Sequence, residues 1–260
     1  MKIWRLLAAA ILVCAASAVQ AEAITILNPS FETDVLGCTA GASCATNDTI
    51  TDWTGSTADP LGFGDPGGER ATGSFGVFKP GTVQYPSGVP DGVNVAYLTA
   101  VVNSVSISQT LSATLQPNDT YTLNVWAGLR DDPSVFPPGL GCNGGNVSLE
   151  AGGTVLNSLV AEGSNICDVP LGDFDEFTVT FNSAGVNPAL LGQNLSIVLT
   201  ANGSGSIFEP AENDFDDLSL TDTSQGNPVS ATPEPSTLLL LGSGLAGLAG
   251  MARRKIASRA

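Results

Sequence analysis

Apolar residues recur along this chain with a period of two, and seldom with the period of a helix. Leu123, Val125, Ala127 and Leu129 follow Tyr121 in one apolar file, while Thr122, Asn124, Trp126, Gly128 and Arg130 fill the positions between them. Such alternation places the two sets on opposite faces of a strand. Residues 106–111 repeat the pattern, with Ile107, Gln109 and Leu111 on one side. Residues 146–149, 177–181, 195–199 and 215–220 are further short runs rich in strand formers. Pro117-Asn118-Asp119 and Asn202-Gly203 supply turns between them. Many short strands with no helical period between them predict an all-β fold, an antiparallel β-sandwich.

The pattern changes at both ends. Lys2 and Arg5 precede an apolar run over residues 6–18, and small residues follow, with Ala21 or Ala23 as the last residue removed. This is the layout of a secretory signal, and the run is too short to span a bilayer. At the other end Pro233-Glu234-Pro235-Ser236 leads into an apolar, Gly-rich run over 237–252, closed by Arg253-Arg254-Lys255. A helix over that run reaches about 24 Å against a hydrocarbon core of about 30 Å, so it predicts a short transmembrane segment with help from local thinning. Its basic tip stays cytoplasmic. The expected organisation is a signal peptide over 1–23, a β-sandwich domain over 24–222, a polar linker over 223–232 and a sorting tail over 233–260.

Set beside this pattern, composition changes the picture in three ways. The formal net charge is −16, yet only Arg70, Lys79 and Arg130 among the basic residues lie between the two ends. The folded part is strongly acidic, which argues against a nucleic-acid partner. The chain has no histidine, so Ser-His-Asp and Cys-His catalysis cannot occur and the commonest zinc ligand is missing. Carboxylates remain. Asp131, Asp132, Asp173, Asp175 and Glu176 are available for hydrolysis, but they read as acidic loop runs and no spacing selects a pair. The expectation is a domain with no catalytic residue. Lastly, Cys38, Cys44, Cys142 and Cys167 survive removal of the leader. In an oxidising compartment they predict two disulfides out of three pairings, and the spacings favour Cys38–Cys44 and Cys142–Cys167.

The C-terminal order of Pro-Glu-Pro, apolar helix and Arg-rich end resembles the PEP-CTERM sorting signal. That resemblance implies export by a Gram-negative bacterium, handling by the secretion machinery and by an exosortase, and cleavage near Pro233 to Pro235. It also implies passing membrane contact through the tail and a setting at the cell surface or in an exopolysaccharide matrix.

The order of strand motifs resembles jelly-roll domains of the galactose-binding-like type, including carbohydrate-binding modules. Ile26-Leu27-Asn28-Pro29-Ser30-Phe31-Glu32 is similar to their opening strand, Asp52-Trp53-Thr54 to the Gly-Trp-Thr segment after it, and Pro90-Asp91-Gly92 to Tyr97-Leu98 to the next strand. Ser108-Gln109-Thr110-Leu111, Tyr121-Thr122-Leu123, Phe177 to Phe181 and Asp216-Asp217-Leu218-Ser219-Leu220 complete the order. Two features depart from it: Asp52 stands where a Gly is usual, and the loop over 130–146 is long. The resemblance implies a structural Ca²⁺ held by Glu32, Asp216 and Asp217, whose hard oxygens suit that ion. Asn124, Trp126 and Arg130 share one strand face and could form a polysaccharide platform. Cover of Trp126 by the 130–146 loop is the competing reading, and Trp53 is expected in the core. The functional expectation is a non-catalytic exported β-sandwich that binds polysaccharide. A structural or adhesive surface protein and a glycan-active hydrolase are the alternatives.

Overall fold

The structure, a computed structural model, describes residues 21–38, 43–57, 73–131, 142–204 and 211–224. Twelve strands make it up: β1 (Glu22–Ile24), β2 (Cys44–Ala45), β3 (Thr54–Thr57), β4 (Ser74–Lys79), β5 (Val95–Ala100), β6 (Val105–Thr114), β7 (Asp119–Leu129), β8 (Gly145–Ala151), β9 (Thr154–Ser158), β10 (Asp173–Asn182), β11 (Asn194–Ala201) and β12 (Ala211–Ser224). One sheet runs in the order β10-β7-β12-β5-β4-β2, with β1 also paired to β12, and the other in the order β3-β6-β11-β8-β9. The ladders are antiparallel. The sandwich expected from the period of two is therefore what forms. The short runs named above lie within strands, Arg130 stands one residue past β7, and Ile26 to Glu32, compared with an opening strand, is in no strand.

The alternating residues explain the layers. On β7 the file Tyr121, Leu123, Val125, Ala127 and Leu129 is buried, and it meets Ile107 of β6, Leu149 of β8 and Leu199 of β11 in one core. Trp53 joins that core as expected. Its ring lies 5.5 Å from Phe31, and its indole N–H donates to the carbonyl of Asn28 at 3.3 Å. Asp52, where the resembling domains have Gly, has φ 68. That left-handed backbone is costly for most side chains and is best tolerated by Gly, Asn and Asp, so the departure is a conservative one. Both disulfides form as the spacings favoured, Cys38–Cys44 and Cys142–Cys167.

Three differences from the sequence reading matter for function. β12 begins at Ala211, so Glu212 and Asp214 are strand residues. β10 begins at Asp173, so Asp173, Asp175 and Glu176 lie on a strand where loops were expected. The ladder satisfies the backbone whatever the side chains are, and polar side chains cost nothing on a face that solvent reaches. β12 is also irregular. Its register shifts between Asp216 and Ser219, Asp217 takes φ 44, and the Leu218 N–H donates to the Pro29 carbonyl at 3.1 Å. Before this bulge β12 pairs with β5, and beyond it with β1. The segment carrying Phe31 and Glu32 thus enters the sheet where the two acidic residues of β12 bend it.

No helix of the described residues is long and apolar enough to cross a membrane. The expected transmembrane segment over 237–252, and Pro233, Glu234, Pro235, Arg253, Arg254 and Lys255, lie outside the described residues, as do most of the leader and Asp132.

β1 begins at Glu22, with Glu22 opposite Asp222 and Ala23 opposite Thr221. Cleavage after Ala21 keeps that strand whole, whereas cleavage after Ala23 removes two of its three residues. N-terminal sequencing of the exported chain is expected to start at Glu22; a start at Ile24 would contradict the place of β1 in the sheet.

Candidate functional site

The core accounts for one face of the sheet that contains β12. The opposite face carries a second, separate group of buried apolar residues: Phe78 of β4, Val95 and Tyr97 of β5, Phe174 of β10, and Tyr85, with Val89 and Trp126 packed against them. Strand period puts these residues out of phase with the core file. Phe78 follows Val77, Tyr97 lies between Ala96 and Leu98, and Trp126 lies between Val125 and Ala127. The segment over 80–94 crosses this face and brings Tyr85 down onto it. Tyr85 is 2% exposed, and its ring lies 4.4 Å from that of Phe174. Phe174 in turn lies over Gly128, where a Cβ would come 2.5 Å from its ring.

Under this cover β12 presents a carboxyl at every second position: Glu212, Asp214 and Asp216. Each is handled differently. Glu212 is ion-paired with Arg130, whose Nη2 lies 3.0 Å from Oε1, and its Oε2 accepts from that Nη2 at 3.2 Å and from the Thr99 hydroxyl at 2.6 Å. The Arg130 guanidinium stands 5.0 Å over the Phe78 ring. Asp216 is fully buried. Its Oδ2 accepts the N–H of Asp91 at 2.9 Å and its Oδ1 that of Asp217 at 2.8 Å. Burial still pushes its carboxyl up to about 8.

Asp214 is fully buried as well, and its neighbour is a neutral hydroxyl. Tyr85 donates to its Oδ2 at 2.6 Å, while Oδ1 has no hydrogen-bond partner among the described residues. Burial raises its proton affinity far above the usual carboxylate range, and the negative charge of Glu212 adds to that. Arg130 and the bond from Tyr85 pull the other way and are outweighed. Burial, then the carboxyl of Asp214, likewise holds the Tyr85 hydroxyl well above its ordinary value. Burial pushes the Tyr97 hydroxyl up to about 12, and its single proton is shared between the Thr46 carbonyl at 2.8 Å and Asn47 Oδ1 at 2.9 Å, away from Asp214. A neutral carboxylic acid, shielded from water and walled by aromatic rings, is an arrangement suited to delivering a proton.

The residues proposed from sequence divide. Trp126 and Arg130 do share a face and both belong to this site, although Arg130 is engaged with Glu212. Asn124 is on the same face but outside the site, where its Oδ1 accepts from the Thr178 hydroxyl at 2.8 Å. Glu32 and Asp216 come to one turn from two sides. Glu32 Oε1 accepts the N–H groups of Val93 at 2.7 Å and Asn94 at 2.6 Å, next to the Asp91 N–H that serves Asp216. Asp217 is exposed at the bulge. Among the described residues no three carboxylates or thiolates gather as a metal-holding group. The donors that meet Glu32 and Asp216 are backbone N–H groups, so the three-residue Ca²⁺ set does not fit as arranged, and no step below runs through a metal. Glu212, Asp214, Tyr85, Phe78, Tyr97 and Phe174 were missed. The signal for the first two was present: Glu212, Asp214 and Asp216 alternate with Asn213 and Phe215.

A family model described as HpiC1-like, HpiC1 cyclase, matches residues 22–221, which is nearly the whole sandwich. A second, the PEP-CTERM protein-sorting motif, matches residues 231–255. Among solved structures, the Stig cyclase Fisc from Fischerella sp. TAU, in complex with (3Z)-3-(1-methyl-2-pyrrolidinylidene)-3H-indole, is 31% identical over 80% of this chain and 100% of its own, with a TM-score of 0.63. A cyclase from Fischerella sp. TAU in complex with 4-(1H-indol-3-yl)butan-2-one is 30% identical over 79% of this chain and 100% of its own, with a TM-score of 0.61. An apo cyclase from Fischerella sp. is 29% identical over 80% and 98%, with a TM-score of 0.62. Among curated proteins none matches. Likeness to a carbohydrate-binding module is slight, at 15% identity and a TM-score of 0.42. The expectation of a domain that is not an enzyme is corrected by these matches, since the sandwich is that of a cyclase family. The sorting motif bears out export to the cell envelope of a Gram-negative bacterium and handling by an exosortase.

Gly92 has φ 64, and a Cβ on it would come 2.3 Å from Glu32 Oε1. Gly92→Ala is therefore expected to cost about 1–3 kcal/mol of stability in urea unfolding. An unchanged midpoint would show that the Glu32 contact does not hold the turn.

Proposed function

The chain belongs to the HpiC1-like cyclase family, and from that premise we propose that it is an exported, acid-initiated cyclase in which Asp214 supplies the proton that starts ring closure. One observation carries this reading: Asp214 is a fully buried carboxyl beside aromatic rings, with the Tyr85 hydroxyl on Oδ2 and no partner on Oδ1 among the described residues, and that burial raises its proton affinity.

The chemistry is redox-neutral. The Asp214 O–H proton adds to an electron-rich double bond of the substrate, and the electron pair of that bond becomes the new C–H bond. A cation remains on the neighbouring carbon. A second π bond of the same molecule attacks it and closes the ring, and a proton then leaves, so the product is an isomer of the substrate. The Tyr97 and Trp126 rings supply negative π surface for the cation and no nucleophile strong enough to trap it, whereas Phe78 is already covered by Arg130 and Phe174 packs on Tyr85. The Tyr85 hydrogen bond to Oδ2 strengthens as negative charge develops on Asp214, which favours proton release in the transition state over the ground state. The indole compounds held by the two Fischerella cyclases support an electron-rich, indole-type substrate. The sorting motif supports a reaction carried out in the cell envelope.

Asp214→Asn keeps shape and neutrality but has no acidic proton. It is expected to lower turnover of an alkenyl indole such as 3-prenylindole by about 100-fold or more. Because burial raises the Asp214 pKa and the protonated form is the active one, wild-type turnover is present at low pH and lost as pH rises through that raised value. Tyr85→Phe is expected to slow turnover by about tenfold. Product analysis by mass spectrometry across pH checks all three. Wild-type rates in D214N, or a rate that climbs with pH, would overturn the reading.

A further inference from the structure

A cyclisation that begins by adding a proton to one carbon ends by losing a proton from another, and a closed site must supply an acceptor for it. We infer that Glu212 is the catalytic base that takes this last proton, an inference that rests on Asp214 being the acid that gives the first.

The two carboxyls lie on one face of the regular part of β12, opposite Thr99 and Tyr97 of β5 respectively. Two residues along a strand span about 7 Å, roughly the reach from the protonated end of a bicyclic substrate to the ring carbon that must shed its hydrogen. Their surroundings set them in opposite states. Asp214 has a phenol as its partner and no cation on it. Glu212 has a guanidinium across both oxygens and a hydroxyl on one, which holds it as a carboxylate. Neighbouring carboxyls whose environments drive them to opposite protonation states are the usual mark of an acid and a base in one site.

The ion pair with Arg130 does not disqualify Glu212. A C–H bond beside a ring cation is strongly acidic, so a weak base removes its proton. In this step the C–H electron pair returns to the ring and restores the double bond, and the proton passes to a Glu212 oxygen. Asp216 is a poorer candidate because both its oxygens accept backbone N–H groups. The Asp214 carboxylate, once formed, stands against the carbon it has just protonated, and its own proton returns there most readily.

The test runs the full chain on 3-prenylindole in D₂O and measures two quantities: cyclised product, and deuterium appearing in recovered substrate. The deuterium reports protonation by Asp214 followed by reversal. Glu212→Gln is expected to keep the exchange and lower the ratio of product to exchange by about tenfold or more. Glu212→Asp is expected to recover most of that ratio. A merely structural role would depress both quantities together. Should E212Q unfold, E212D carries the same comparison, with a smaller drop in the ratio. An unchanged ratio in folded E212Q overturns the role of Glu212 and leaves Asp214 as the acid. Absence of both product and exchange in the wild type overturns the cyclase reading itself, and the inference with it.

Discussion

Three carboxyl groups at alternate positions of one strand, on a sheet face closed to water, form the constraint from which the chemistry of this molecule follows. An ionised carboxylate taken out of water carries a penalty of several kcal/mol unless something replaces its hydration. β12 meets that constraint in three ways within five residues. Glu212 has a cation; Asp216 has two backbone N–H donors that only partly offset its burial; Asp214 has neither, and its Oδ1 is left without a partner among the described residues. The raised proton affinity of Asp214 is therefore first a consequence of its burial and then of the Glu212 charge beside it, which the more distant Arg130 does not offset. The guanidinium lies over Phe78 and against Glu212, one strand step away from Asp214.

The rest of the sandwich can be read as support for that row. The bulge after Asp216 lets β12 change partners from β5 to β1, and it brings the Phe31-Glu32 segment to the turn over 91–94. Glu32 and Asp216 hold that turn by its N–H groups and so fix the far end of the segment that lays Tyr85 on Asp214. At its near end the N–H groups of Gln84 and Tyr85 donate to the Gly81 carbonyl. Gly128 leaves room for Phe174 to close the other side. Behind the sheet, the Asn213 amide donates to the Gly144 carbonyl beside the Cys142–Cys167 disulfide, at the start of the same stretch of β12. An oxidised, exported setting thus keeps the strand that carries the acid tied at its flank.

Much of the fold was legible in the sequence because it depends on local alternation. The β7 file, the turn at 117–118 and the two local disulfides all formed as expected. Part of the site was legible too, since Trp126 and Arg130 were assigned to one face from the period of two alone. Asp214 was not. It stands in an acidic stretch of the kind that usually marks a solvated edge, and nothing local says that residues 80–94, more than a hundred positions earlier, come across to cover it. The absence of histidine rightly excluded triads and did nothing to exclude a carboxylic acid acting alone. The motif order that resembled carbohydrate-binding jelly rolls reports the order of strands, and strand order does not specify the chemistry of a strand face. Of the row of acids only Asp216 falls within the motifs read from the sequence, and Glu212 and Asp214 precede it on β12.

The account stands or falls on whether Asp214 holds its proton in the folded chain at neutral pH. Infrared spectroscopy of the unliganded protein, with aspartate carrying a ¹³C-labelled carboxyl, reads this directly through the carbonyl stretch of a protonated acid. The account predicts such absorption at neutral pH, shifted by the label, with one component lost in the Asp214→Asn protein while any contribution of Asp216 remains. A neutral-pH spectrum in which the D214N difference shows only ionised carboxylate would contradict it.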